Sequence, residues 1–314
     1  MSRTVTVGLD GSRESLAAAE WAAREAKLRE LPLRLVNVWE PVPEPMAQAP
    51  LLGAETQAHW SERSEMGVPP AEGWGRIPRE AAAGLRLRHP GVEITVEQLT
   101  GRASEVLVAA AKDSELLVLG SRGLSGLGGF LVGSVGQAVV AHAETPVVLV
   151  RAWEQAADEH EMDPAGIPSA ATGFRPVVLG LDTDKPDDGV ITFAFEEAAR
   201  RKTSLRVVHG WNLPPHDVSS LPAAPEIGVE LGRQDAATLA AVLRPWKEKF
   251  PNVEVVEESR SGSPVNHLVD ASRDASLVVV GRRIRRSPFG IHIGSVTHAV
   301  LHHATAPVAV VAHD

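Results

Sequence analysis

Six glycines crowd the stretch GSRGLSGLGGFLVGSV, residues 120–135, between an apolar run and a segment with helical periodicity. Glycine loses more conformational freedom on folding than other residues, so a cluster implies a tight backbone turn or close approach by another molecule. At a strand-to-helix junction, exposed N–H groups and the positive end of the helix dipole make a site for an anion, phosphate above all. Gly128, Gly133 and Ser134 have the spacing of a P-loop, but the lysine that loop requires before its hydroxyl residue is absent. Near the N-terminus, GLDGS sets Asp10 between two glycines, short of a dinucleotide fingerprint. These residues predict phosphate binding with slow hydrolysis at most.

The elements that must position them are written twice. TVTVGLDGSRESLAAAEW, from Thr4, is echoed by RPVVLGLDTDKPDDGVITFAF, from Arg175, so that Asp10 corresponds to Asp182. LRLVNVW from Leu33 matches LRVVHGW from Leu205, and Trp39 and Trp211 keep the same separation of 172 residues. Further along, TGRASEVLVAAAKDSELLVLGSRG matches SGSPVNHLVDASRDASLVVVGRRI, with Gly120 and Gly281 now 161 apart. VGSVGQAVVAHAETPVVLV then matches IGSVTHAVLHHATAPVAVV. The chain is a duplication, and its first copy carries 11 more residues between Trp39 and Gly101.

In that first copy, β-branched runs predict strands at about 5–9, 33–39, 92–99, 116–119 and 147–150, with helices near 15–30, 78–88, 104–112 and 135–142. Such alternation predicts two tandem doubly wound α/β domains, each a five-stranded parallel sheet flanked by helices. The domains are expected at 1–152 and 175–314, joined by a linker at 153–174 that is acidic and then proline-punctuated. The proline-rich stretch from Glu40 is expected as a long surface loop. PVVLV and PVAVV, the last strand of each copy, read as apolar edges that need a partner.

Several functions are excluded by composition. The 314 residues include no cysteine, which removes disulfides, thiolate metal sites and cysteine nucleophiles. A net charge of −9 gives no general attraction to nucleic acid or an anionic membrane. The most apolar stretch is interrupted by glycines, charges and a proline, so no membrane span is expected, and the start of the chain runs straight into a strand pattern, which predicts a cytoplasmic protein.

Gly120, Gly123, Gly133 and Ser134 together resemble the G-x2-G-x9-G-[ST] signature of ATP-binding universal stress proteins, as do VGLDGS, TPVVLV and the tandem order. The resemblance implies an adenine nucleotide alpha hydrolase-like fold and ATP, with or without Mg2+, as ligand. It places Gly8 and Asp10 beside the adenosine and the backbone of Val38 at the adenine. Gly120 and Gly123 would let ribose and phosphates approach, and Gly133, Ser134 and Val135 would hold the phosphates. Arg122 adds a cation able to screen phosphate charge. In the second copy the matching positions are Asp182, Gly281, Arg283, Gly294, Ser295 and Val296, but Ile284 replaces Gly123. A β-branched residue disfavours positive φ and close backbone approach, so this copy is the weaker expected site, although Arg282, Arg283, Arg285 and Arg286 make its loop basic. The resemblance further implies that the final strands pair the two domains as a pseudo-dimer, with a homodimer of chains open.

Blander roles compete with these. Asp10 is equally suited to a helix cap or a turn, and Ser12 to a helix cap. The arginine cluster suits a solvated loop or a contact with the acidic linker. Trp39 and Trp211 suit packing, and His298, His302 and His303 lack the partners of a metal site. No G-x-S-x-G elbow supports Ser/His/Asp catalysis. Three functions therefore stand: a nucleotide-responsive regulatory or protective protein, a slow Mg2+-dependent ATPase or nucleotidyl-transfer enzyme with Asp10 as base, and a nucleotide-independent interaction module.

Overall fold

The computed structural model describes residues 3–40, 76–123, 130–211, 225–284 and 293–314, without the side chains of residues 122, 123, 130, 131 and 225–227. The expected loop after Glu40, most of the glycine loop, Arg285 and Arg286 lie outside the described residues.

The first copy runs β1 (Thr4–Leu9), α1 (Arg13–Arg29), β2 (Leu33–Trp39), α2 (Arg76–Arg88), β3 (Ile94–Thr100), α3 (Ala103–Ala111), β4 (Ser114–Gly123), β5 (Phe130–Leu131), α4 (Ser134–His142) and β6 (Val147–Arg151). The second runs β7 (Val177–Gly180), α5 (Asp188–Arg201), β8 (Leu205–Trp211), α6 (Pro225–Lys249), β9 (Val255–Ser261), α7 (Pro264–Ala271), β10 (Leu277–Arg283), α8 (Ser295–His303) and β11 (Val308–His313). The predicted strands and helices of the first copy are all present within a few residues. The sequence pattern missed β5, a two-residue strand that pairs antiparallel with Arg122 and Gly123 of β4.

Within each copy the five main strands are parallel, in the order β3-β2-β1-β4-β6 and, symmetrically, β9-β8-β7-β10-β11. The two sheets join through β6 and β11, which pair antiparallel with Val308 opposite Leu149 and Val310 opposite Val147. Each final strand thus finds its partner in the other copy, and one sheet crosses the whole chain.

Strand side chains alternate between faces, so each face of this sheet builds its own core layer. Val5, Val7, Leu116, Val118, Val177 and Val279 lie in one layer with Trp21 of α1 and Phe195 of α5. Leu117, Leu119, Val278 and Val280 lie in the other with Leu107 of α3, Val139 of α4, Leu268 of α7 and Val300 of α8. Both layers contain residues of both copies.

The linker is folded onto the protein. It forms a 3-10 turn at Ala156–Glu159 and isolated antiparallel bridges between His160 and Phe174 and between Met162 and Pro168. Glu159 is buried and accepts from Arg24 of α1 through Nε at 2.9 Å and Nη2 at 2.5 Å.

Beside it, the two copies meet in a buried ionic cluster that the helical pattern did not reveal. Arg29 of α1 donates to Glu197 of α5 at 2.5 Å, and reciprocally Arg201 of α5 donates to Glu25 of α1 at 2.6 Å. Each arginine also binds the glutamate four residues before it in its own helix. All four side chains are at most 4 % exposed. Burial opposes the charged form of Glu25, but Arg201 and Arg29 outweigh it and hold its carboxyl down to about 2. Glu197 is shifted upward, by burial and then by the charge of Glu25.

Candidate functional site

In an open parallel sheet, ligands bind beyond the carboxyl ends of the strands where the strand order reverses. Here that point lies between β1 and β4 in the first copy and between β7 and β10 in the second. In the second copy it is a cavity of about 440 Å3, lined among others by Asp182, His209, Gly281, Arg283, Val296 and His313. Four of the six second-copy residues singled out from the sequence meet there.

The helices that follow supply the anion-binding element. α4 starts at Ser134 behind Gly133, and α8 starts at Ser295 behind Gly294, and neither has a side-chain cap. The first amides of a helix have no acceptor within the helix, so both ends present uncapped N–H groups. Among the described residues, a Cβ on Gly133 would find no atom within 4 Å, and one on Gly294 would only graze Thr297 at 4.0 Å. Both glycines have negative φ, so neither is required by the backbone. Ser134 and Val135 are exposed, as is Ser295.

Other motif glycines also serve packing within the chain. A Cβ on Gly120 would stand 2.6 Å from the Glu14 carbonyl oxygen and 2.7 Å from the Ser15 nitrogen, because the first turn of α1 lies directly on β4. On Gly281 it would meet the His313 ring at 2.9 Å, on Gly8 the Leu119 side chain at 2.7 Å, and on Gly180 the Leu268 side chain at 2.8 Å. These glycines let helices, side chains and sheet approach. Gly11, in the turn after β1, does need a glycine, with φ of +83°.

Asp10 is committed to that turn. Its Oδ1 accepts from the Ser12 amide at 2.9 Å and from the Ser12 hydroxyl at 2.5 Å, and Ser12 in turn caps α1. Burial acts to raise the Asp10 pKa, but these bonds from Ser12 and a further one from Ser15 leave it lowered, which makes it a poor general base. Asp182 likewise accepts from the Asp184 amide at 3.0 Å, while Asp187 caps α5.

At the end of the second strand, Val38 is half-buried and follows Asn37, which donates to the Leu9 carbonyl at 2.7 Å. The Oδ1 of Asn37 is buried without a hydrogen-bond partner among the described residues. His209 takes this position in the second copy, bonded through Nδ1 to the Leu181 carbonyl at 2.8 Å, with Asp235 and Thr183 near Nε2. Sequence reasoning overlooked both, although each stands two residues before the end of the strand motif.

Two expectations for the second loop change. Ile284 does not take a positive φ, and its amide donates to the His313 carbonyl at 2.5 Å, so the residue extends the strand pairing without strain. Arg282 is buried and its Nη2 donates to the Ala143 carbonyl of the first copy at 2.5 Å, away from both solvent and linker. Arg283 remains at the cavity. In the first copy the Arg122 and Gly123 backbone pairs with β5, and the Arg122 side chain lies outside the described residues. The ring of Trp211 packs near Gly232 of α6. His298 and His302 stack with centroids 4.5 Å apart, and no group of three metal-type side chains forms among the described residues.

The family model described as "Universal stress protein family" matches residues 1–151 and again 173–312. The chain belongs to the universal stress protein family. A universal stress protein of Mycolicibacterium smegmatis is 31% identical over 307 residues, covering 98% of this chain and 96% of its own length. Universal stress protein Rv1996 of Mycobacterium tuberculosis is 33% identical over 310 residues, covering 98% and 94%. The crystal structure of a universal stress protein from Archaeoglobus fulgidus aligns over the whole of both chains with a TM-score of 0.65 at 16% identity, a likeness of fold. As in a tandem universal stress protein, each copy here is one family unit. No helix among the described residues is long and apolar enough to cross a membrane.

Proposed function

We propose that this universal stress protein binds ATP or a related adenine nucleotide at the strand ends of both copies, and acts in the cytoplasm as a nucleotide-responsive regulator. The observation that carries the reading is the pair of uncapped helix starts, each behind a glycine whose Cβ position is open, at the reversal of a parallel sheet. The spacing shared with ATP-binding members of the family supports the nucleotide, and the unpartnered Asn37 Oδ1 is an acceptor suited to an adenine amino group. Mg2+ would arrive on the phosphates. Turnover is not its task, because the one carboxylate expected as base is already bonded to Ser12.

Binding would lock the start of α4 and the strand β5 before it. Because β5 lies against α8 of the second copy, a ligand in the first copy would shift the population of states available to the second.

Calorimetry with ATP and Mg2+ tests this on the parent, Gly133→Val and Gly294→Val. Two sites in the parent and one in each variant are expected. A ligand that binds only the native state must stabilise it, by about 2.7 kcal/mol at a hundredfold excess over Kd. No heat and no rise in Tm at millimolar ATP would leave the nucleotide-independent interaction module.

A further inference from the structure

A second cleft, of about 380 Å3, lies on the seam between the copies and shares no lining residue with the strand-end cavity of the second copy. One wall is the end of β6 and the turn after it, with Arg151, Trp153 and Glu154. The other is built from the second copy, with Arg175 before β7 and Arg273 and Thr305 beside it.

The origin of the cleft is an asymmetry in the duplication. Arg282 of β10 pairs in register with Ala312 of β11, and Arg282 crosses the seam to the Ala143 carbonyl. The matching residues of the first copy, 161 positions earlier, are Ser121 and Arg151, again register partners. The arginine has moved one strand outward, and Ser121 bonds only as far as the Val150 carbonyl at 3.2 Å. Where the second copy reaches across, the first leaves a space with arginines around it.

We propose that this cleft binds a small oxyanion, a phosphate or a carboxylate, gripped from both copies by Arg151, Arg175 and Arg273. Arg175 is held in place for the role: its Nε donates to the His160 carbonyl at 2.8 Å and its Nη1 to the Arg273 carbonyl at 3.2 Å, and its side chain is 17 % exposed. Asp274 stands 3.7 Å from Arg175 and Asp270 3.7 Å from Arg273, both beyond hydrogen-bond distance, and Glu154 and Asp158 line the cleft with Arg151. Guanidinium groups bind oxyanions through paired N–H donors, which three arginines lining one cleft from different elements supply.

Glu154 completes the donor set. Burial, then the charges of Glu159 and Asp158, push its carboxyl up to about 8, against the weaker pull of Arg24 and Arg151. At pH 7 it is mostly protonated and donates; at pH 9 it is an anion that competes with the ligand.

The test is calorimetry of the full chain with inorganic phosphate and, separately, succinate at pH 7 and pH 9. Arg151→Gln and Arg273→Gln should each weaken binding about tenfold, the loss of one charge-assisted bond. Arg273 is 71 % exposed, so its replacement leaves the fold intact. Neither residue touches the helix starts at Gly133 and Gly294, so a phosphate signal arising only there would be unchanged in both variants, and that result overturns the proposal. The parent should bind more weakly at pH 9, whereas Glu154→Gln should keep its affinity. Phosphate binding alone identifies a phosphate ligand, and binding of both probes extends the site to carboxylates. A failure to bind either probe overturns the proposal while leaving the ATP reading to its own experiment.

Discussion

In the first copy, α1 is 17 residues long and its opening turn lies on Gly120; in the second, α5 is 14 residues long and begins one turn late, after Pro186 and the Asp187 cap. Both helices end on the matched arginines Arg29 and Arg201. The space above Gly281 is taken instead by the ring of His313, a side chain at the end of the last strand. Where α1 meets α5, by contrast, the copies are alike, with Glu25 and Arg29 repeated as Glu197 and Arg201 in reciprocal pairs. The duplication has kept the helix contact that joins its halves and varied the surface where they would hold a ligand.

Breaking the shared feature should have the largest effect. Arg201→Met removes one of the two guanidiniums that join Glu25 and Glu197 across the seam and leaves two buried carboxylates to share Arg29, with Arg200 beside Glu197. The expected loss is about 3–5 kcal/mol, the usual result of stranding a buried charge, read as a lower urea midpoint. Replacing all four residues with apolar ones of similar volume should recover most of that, since well-packed apolar groups often match a buried ion pair. If Arg201→Met shifts the midpoint by less than about 1 kcal/mol, the ionic cluster is not what holds the copies together.

The variable feature can be sharpened with one substitution made twice. Gly120→Ala sets a methyl group against the backbone of α1, which cannot move without lifting the helix, and should cost about 1–3 kcal/mol or more. Gly281→Ala meets the His313 ring and the Val190 side chain, which can turn aside, and should cost under about 1 kcal/mol. Equal losses in Tm would show that the two positions are packed alike after all.

Much of this fold was legible because β-branched runs and helical periodicity agree within each copy, and because the repeat allowed each copy to check the other. The edge character of PVVLV and PVAVV pointed to the β6 and β11 pairing for the same reason. The ionic cluster was not legible: Glu25 and Arg29 sit four apart on a helix, a spacing equally common on a solvated face, and only the approach of α5 buries them. The glycines were legible only in part. One motif placed Gly120 and Gly133 together, and the pattern did not show that Gly120 also admits the first turn of α1, which depends on which atoms of distant segments lie above each Cα.

The acid and base limbs of stability separate the seam from the cleft beside it. Glu25 has a folded pKa near 2, below its value of 4.5 in the unfolded chain, so its contribution is complete above 4.5 and fades as pH falls toward 2. Glu154 has a folded pKa near 8, above its unfolded value, so stability declines as pH rises from 4.5 to 8. Denaturant melts of Glu154→Gln should therefore match the parent near pH 4 and exceed it at pH 9, whereas Glu25→Gln should fall short of the parent at pH 7 and approach it only in strong acid. A Glu154→Gln curve parallel to that of the parent at every pH would remove the carboxyl from the cleft's titration.

The smallest effect on stability is the most informative about the ligand. Gly133→Ala and Gly294→Ala place a methyl group where nothing among the described residues approaches closely, at backbone angles that alanine accepts. Glycine is the better helix cap, but alanine loses less chain entropy on folding and offsets this, so each variant should melt within about 0.5 kcal/mol of the parent. The same methyl group stands at the mouth of the uncapped amides, where a phosphate must come within hydrogen-bonding distance of the backbone, and there it should weaken ATP binding at least tenfold. Unchanged stability with lost affinity means that these glycines are open for a ligand. Unchanged stability with unchanged affinity means that the helix starts are open to solvent alone, and that the two copies differ at their strand ends for reasons of packing.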